Sequence, residues 1–444
     1  MPAPGALSSR RPGDPRAERS LLAALAAVQF TSIVDFMIVM PLGPQLVESL
    51  GVDTVRFGWI VSSYTFAAGV AGLAAAPILD RADRKSAFLL LAVGFAAGTF
   101  LCGLADGYAT LLAARTVTGA FGGLLGGQSL AIVGDVFPEE RRGRATGTLM
   151  STFALASVAG VPAGIWIGNT WGWRAAFLVL GLASLPTVAV AYRSIPPLSG
   201  HALRPGGPAL PRLVETLTLP THRRAFALMS VLMVGAFAVI PFISASFVAN
   251  VGVRPEELPI VYVAGGLLTL VGSPWIGRLA DRHGTWEVFR GVVPVSAAMM
   301  VVISHLPRVG VWCAAAVTAV LMLANTGRMV AAMALVTAAV EPARRAGFMS
   351  VNSSIQHVAC GIGTAIGAAI AGGEPGQPLS RFGLAGWFAA TVTMASLWFA
   401  GRLRPPSAGP PADAAPPARD HRGKSSSSGK SGVSARAFAR RKSM

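Results

Sequence analysis

Charge disappears from this chain for about twenty residues at a time and returns in short bursts, a spacing that matches bilayer-crossing helices. Asp, Glu, Lys and Arg are absent from Phe57 to Leu79, Ser86 to Ala105, Thr116 to Gly134, Ala145 to Trp173, Ala175 to Tyr192 and Ala225 to Val253. They are absent again from Leu258 to Gly277, Gly291 to Pro307, Ala346 to Gly373 and Phe382 to Gly401. Two further apolar stretches hold one charge each: Ser20 to Val47 contains Asp35, and Val309 to Val340 contains Arg328. At a rise of about 1.5 Å per residue, about 20 residues cross the roughly 30 Å hydrocarbon layer. The pattern predicts twelve spanning helices.

Composition supports this reading. Of 444 residues 53% are hydrophobic and 13% charged, against about 25% charged in soluble domains. That leaves too little polar surface for a water-soluble globule and excludes a disordered chain, a coiled coil or a disulfide scaffold for the bulk of the sequence. The 51 Gly and 31 Pro would weaken soluble helices. In a bilayer, neighbouring helices satisfy the freed backbone groups and small residues allow close packing.

An even number of spans puts both termini on one side, and the distribution of basic residues says which. Of 37 Lys and Arg, 30 fall on the side of the termini, 5 on the opposite side, and Arg115 and Arg328 lie inside spans. The positive-inside rule makes the termini cytoplasmic in an inner (plasma) membrane. This also accounts for much of the net charge of +17. Residues 403 to 444 are Pro, Ala and Ser-rich and strongly basic, which reads as a disordered tail near anionic lipid. No aromatic-interleaved binding module accompanies it, so no nucleic-acid partner is expected. The SSSSGKSG stretch has the wrong spacing for a phosphate loop and no preceding strand; it reads as linker. The basic first 19 residues lead into a long span without a small-residue cleavage site, so no removable signal peptide is expected. Cys102, Cys313 and Cys360 all fall in spans, which argues against disulfides and metal.

The chain repeats itself. Asp80-Arg81-Ala82-Asp83-Arg84-Lys85 follows span two, and Gly277-Arg278-Leu279-Ala280-Asp281-Arg282-His283-Gly284 follows span eight, with the Asp-Arg pairs 201 residues apart. Arg141-Arg142 and Arg344-Arg345, after spans four and ten, are 203 apart. The expected organisation is a segment 1–19, a six-helix bundle 20–193, a cytoplasmic connector 194–222, a second bundle 223–402 and the tail 403–444. The expected fold is an all-α membrane protein of two pseudo-symmetric six-helix bundles, an architecture of secondary transporters.

Over residues 20 to 402 the sequence resembles the major facilitator superfamily, in its twelve-span drug:proton antiporter and sugar-efflux branch. Asp80, Arg81, Arg84 and Lys85 match the signature loop after span two, where Ala76 and Asp83 replace glycines. The second copy keeps Gly277, Leu279, Asp281, Arg282 and Gly284 but has Thr285 and Trp286 for its last basic pair. Trp59 and Tyr64 fit a W-x4-Y pattern, Arg115 and Gly119 fit R-x3-G, and Gly160-Val161-Pro162-Ala163-Gly164 resembles the span-five glycine-proline motif, with Val161 between residues that are adjacent in the antiporter form. The resemblance implies alternating access by one chain acting as a monomer in membrane lipid, with no cofactor, moving a small-molecule substrate in exchange for protons.

Asp35 is the only acidic residue well inside a span, about 15 residues and roughly 22 Å along it. An intramembrane carboxylate is a functional-site hypothesis by default, and the resemblance also places an acidic residue there; the alternative is a structural carboxylate bonded to a neighbour. Arg115, at the outer end of span four, cannot shed its charge. It either joins the proton pathway, as the resemblance implies, or snorkels to the outer interface. Arg328 lies deeper in span ten with Asn325 one turn earlier, and the repeat puts Leu125 at the matching place in span four. It either faces an anionic or hydrogen-bonding substrate or pairs within its bundle. Gln29, Gln128, Asn352, Gln356 and His357 either line the cavity or bond between helices. Asp80, Arg81, Arg84, Asp135, Asp281, Arg282, Gly160, Pro162 and Gly164 are the expected switch elements, with Arg81 and Asp135 as a charge clamp. No span carries a carboxylate pair, a His cluster or a nucleophile beside a base, so an enzyme is not expected. The expected function is proton-coupled export of a drug-like or sugar-like molecule; an importer or facilitator on the same fold, and a non-transporting receptor, are the alternatives.

Overall fold

The computed structural model describes residues 15–79, 82–198, 209–341, 344–374 and 377–403. In the N-terminal half the helices are α1 (Pro15–Ile38), α2 (Gly43–Leu50), α3 (Thr54–Leu79), α4 (Arg84–Leu104), α5 (Tyr108–Val136), α6 (Glu139–Leu155), α7 (Val161–Trp171) and α8 (Trp173–Ser194). A short α9 (Ala209–Thr218) leads to the C-terminal half: α10 (Pro220–Phe237), α11 (Ile243–Ser246), α12 (Leu258–His283), α13 (Thr285–Ser304), α14 (Val311–Ala339), α15 (Arg345–Ala371) and α16 (Phe382–Gly401). Among the described residues, twelve helical segments are long and apolar enough to cross a membrane.

Proline explains where the apolar runs break. Ser20 to Val47 is not one helix: α1 stops at Ile38, the chain turns through residues 39–42, and α2 starts with a proline in its first turn. Gly51, at φ +59°, ends α2. Ala225 to Val253 breaks near Pro241, which cannot donate a backbone hydrogen bond; α10 gives way to a 3₁₀ turn (Ile240–Phe242), α11 and a wide π turn (Phe247–Val251). A second π turn, Ala156–Gly160, joins α6 to α7 just before Pro162. Arg141 and Arg142 belong to α6, not to a loop, and the connector contains α9 and the start of α10.

The duplication is visible in the packing. Within the first half α3 and α4 pack on α5, α4 and α1 pack on α8, and α1 packs on α6. The second half repeats this, with α12 and α13 on α14, α13 and α10 on α16, and α10 on α15. The halves meet along two matching seams: α3 against α15, and α7 with its π turn against α12.

Apolar packing is not uniform along those seams. At the end away from the termini, the distal end, one core cluster joins both halves, including Ile38, Phe57 and Ile165 from one and Phe242, Phe247 and Ala368 from the other. At the terminal end the cores separate. One cluster belongs to the first half, with Leu25, Phe88 and Ile132; another belongs to the second half, with Phe226, Phe289 and Phe348, and is reached from across only by Leu73 among the described residues. The distal seam also carries uncharged latches. Asn169 donates from Nδ2 to the Pro255 carbonyl at 2.8 Å and accepts from Gln45. The Thr54 backbone N–H donates to the Gly373 carbonyl at 3.2 Å, and its hydroxyl lies 3.1 Å from the same oxygen. The structure is therefore sealed distally.

Candidate functional site

Asp35 lies three residues before the end of α1 and Arg115 seven residues into α5, about 10 Å from the distal end of that helix. Both side chains are fully buried. Arg115 Nη1 donates to Asp35 Oδ2 at 2.7 Å, and Thr99 on α4 donates its hydroxyl to Asp35 Oδ1 at 3.0 Å. The guanidinium stands over the Tyr64 ring at 4.5 Å and within 5.9 Å of the Phe177 ring. Charge-assisted bonds of this length are the strong kind, and burial keeps water from competing for them.

The carboxylate is not alone, because α5 presents an arginine to it across the bundle; and Arg115 does not snorkel outward, because its charge is compensated inside. Desolvating one charge without the other would be costly, so the helices deliver both to the same place.

Local sequence explains how they meet. Gly119 lies one turn after Arg115, and a Cβ there would strike the backbone carbonyl of Tyr64. Its absence lets α5 settle on α3 and brings the Tyr64 ring over the guanidinium. Gly160, Gly164 and Gly168 recur every four residues and present one face of the π turn and α7 to Val34 and Ile38 of α1 and to Leu42 in the turn after it, which are also four residues apart. The span that carries Asp35 is thereby held against the span carrying the glycine-proline motif.

Other expected site residues are scattered through both halves. Arg328 on α14 is buried; its Nε donates to Asn325 Oδ1 at 3.0 Å and its Nη2 to the Leu232 carbonyl of α10 at 3.3 Å. Asn325 Oδ1 also accepts from Ser296 of α13 at 2.8 Å. Gln29 lies against Gly126 of α5. Buried atoms without a hydrogen-bond partner include Gln29 Oε1, Gln128 Oε1, Asn352 Oδ1, Thr269 Oγ1 and Arg328 Nη1. Asn352 is almost wholly buried, whereas Gln356 and His357, on the same helix, are half-buried.

At the terminal end Asp135 forms an ion pair with Arg84 at 3.2 Å. Asp80 and Arg81, the other expected members of that cluster, lie outside the described residues. Asp281 and Arg282 are exposed in the last turn of α12, not in a loop. Thr99, Phe177 and Ser296 contribute to these sites without having been singled out from the sequence; a Thr, Phe or Ser inside a span carries no signal of its own, and Tyr64 was visible only as a motif member.

Two halves of six spans with the same packing pattern, and a buried ion pair between α1 and α5 of the first, match the architecture of secondary transporters. Comparison makes the class specific. The family model for the Major Facilitator Superfamily matches residues 25–323 and, in a second overlapping match, 225–442. The chain belongs to the major facilitator superfamily. It is 25% identical over 346 residues to the inner membrane transport protein YdhP of Escherichia coli O157:H7, covering 75% of this chain and 83% of that protein. It is 28% identical over 265 residues to a chloramphenicol resistance protein of Streptomyces lividans, covering 59% of this chain and 66% of that protein. Among solved structures, a bacterial homologue of the human lysosomal transporter Spinster superposes with a TM-score of 0.61 at 17% identity, over 88% of this chain and 96% of that one. The family and these relatives are transporters, so the chain is a membrane transporter and not an enzyme.

Proposed function

We propose that this transporter exports small organic molecules in exchange for protons, working as a monomer with both termini in the cytoplasm. The observation that carries the reading is the buried Asp35–Arg115 pair. When Asp35 takes up a proton its charge is lost and the arginine is released; when it gives the proton up, the pair re-forms. Those two arrangements provide a discrete element whose equilibrium a proton biases, which a coupled transporter requires. In the distally sealed state the pair is formed, the arrangement expected after a proton has left toward the terminal side. Orientation is supported by the concentration of basic side chains at the terminal end, and export by similarity to a resistance protein.

In this reading Asp80, Arg81, Asp281 and Arg282 act as the clamp of the opposite state, while the Arg84–Asp135 pair ties α4 to α5 within the first half. The tail is dispensable for flux.

The test is counterflow and pH-driven flux in proteoliposomes across a compound panel. Asp35→Asn is expected to abolish gradient-driven accumulation while leaving solute exchange. Gradient-driven flux equal to that of the unmodified protein would remove Asp35 from coupling.

A further inference from the structure

Among the described residues Arg328 is a cation without a counter-ion. It is 2% exposed, its two hydrogen-bond partners are neutral, and no carboxylate forms an ion pair with it. Nε and Nη2 donate to an amide and a backbone carbonyl, and Nη1 has no acceptor. A guanidinium stays charged in a protein, and a buried charge is ordinarily paired. The other intramembrane arginine, Arg115, obeys that rule through Asp35.

The fold does not require a charge here. By the repeat of 203 residues the matching position of the first half is Leu125, wholly buried in an apolar cluster. The charge is also held in place. Asn325 Oδ1 is shared between Ser296 of α13 and Arg328 Nε, which fixes the guanidinium plane and leaves Nη1 as its free end. Arg328 lies eleven residues from the terminal end of α14, about 17 Å along it and so near the bilayer midplane. The second-half core to which Leu232 belongs also contains Met229 and Met233, with Met329 and Met333 packed against it. Thioether side chains adapt to apolar groups of different shape.

We propose that Arg328 Nη1 binds the anionic group of the transported solute, a carboxylate or sulfonate on an apolar body, whose tail packs on the methionines. This names a substrate class and rests on the transport reading above; a free inorganic anion shares the charge chemistry and is distinguished by the test.

The full-length purified protein is titrated with 2-naphthoate, its neutral counterpart 2-naphthamide, and sodium sulfate, following thermal unfolding by tryptophan fluorescence. Naphthoate is expected to stabilise saturably and at least tenfold more tightly than the amide. Arg328→Gln is expected to erase that preference and Arg328→Lys to retain most of it. If Arg328→Gln does not fold, Asn325→Ala, which loosens the guanidinium without removing its charge, serves instead and lowers naphthoate affinity at least threefold. Equal binding of acid and amide, a preference that survives Arg328→Gln, or unchanged affinity in Asn325→Ala overturns the proposal. Sulfate that stabilises as strongly as naphthoate and competes with it makes the occupant an inorganic ion and overturns the organic part. This readout does not depend on flux: acid binding through Arg328 without pH-driven movement of any solute would sink the transport reading alone, and pH-driven flux with no acid preference would sink this one alone.

Discussion

Removing Arg115 isolates the one fully buried ion pair among the described residues. At an N···O separation of 2.7 Å and an effective dielectric of about 20, the gross Coulomb attraction is about 6 kcal/mol. Much of that is cancelled by the desolvation of two ions, but Arg115→Met leaves the other ion buried and unpaired, which costs about 3–5 kcal/mol. Asp35→Asn leaves the arginine in the same position, although the Tyr64 ring at 4.5 Å offsets part of its loss by about 0.5–2 kcal/mol. The double variant Asp35→Asn/Arg115→Met buries no charge and keeps an acceptor for the Thr99 hydroxyl, so it should be more stable than Arg115→Met alone. Unfolding by sodium dodecyl sulfate in mixed micelles, run on all four proteins, gives the coupling energy directly. A coupling of about 2 kcal/mol or more is expected, and a value below about 0.5 kcal/mol, the range of independent sites, would refute the account of the pair as a compensated unit.

Gly119→Ala must push α5 off the Tyr64 backbone, costing about 1–3 kcal/mol and slowing transport. Gly147→Ala, where a Cβ meets open space, should gain about 0.4–1 kcal/mol; folded yield after heating compares the two. Thr54→Val and Asn169→Ala each remove distal latches of about 0.5–1.5 kcal/mol and should raise the distally open population roughly two- to tenfold, measured by spin-label distances across the seam; an unchanged distribution would show the apolar cluster alone sets the state. Asp135→Asn should change stability by less than about 1 kcal/mol, because its ion pair with Arg84 is partly exposed and screened; any larger loss of folded protein contradicts the assignment of a surface pair.

The spans were legible because lipid excludes charge, a rule that acts on every residue of a run and so survives local noise. Where the backbone turns inside such a run was not legible, since the apolar character of Ser20 to Val47 says nothing about how Pro41 or Pro44 redirects the chain. Asp35 and Arg115 stood out as charges, but 80 residues separate them and no local spacing encodes which helices will touch. Their pairing emerges from packing: the absent Cβ of Gly119 and the four-residue period of Gly160, Gly164 and Gly168, which matches Val34 and Ile38 on the opposing helix and Leu42 in the turn beyond it. Arg81 was paired with Asp135 by resemblance alone; among the described residues Arg84, three residues on, forms the ion pair with Asp135.

A protein whose two halves share one hydrophobic core at the distal end and keep separate cores at the other fills unequal areas in the two leaflets. Its resting balance is then expected to respond to lateral pressure: lipids that crowd the acyl region of the leaflet at the terminal end favour the two separate cores closing up, and lipids that relax it favour their spreading. The bilayer is then expected to bias the transport cycle without binding at any site.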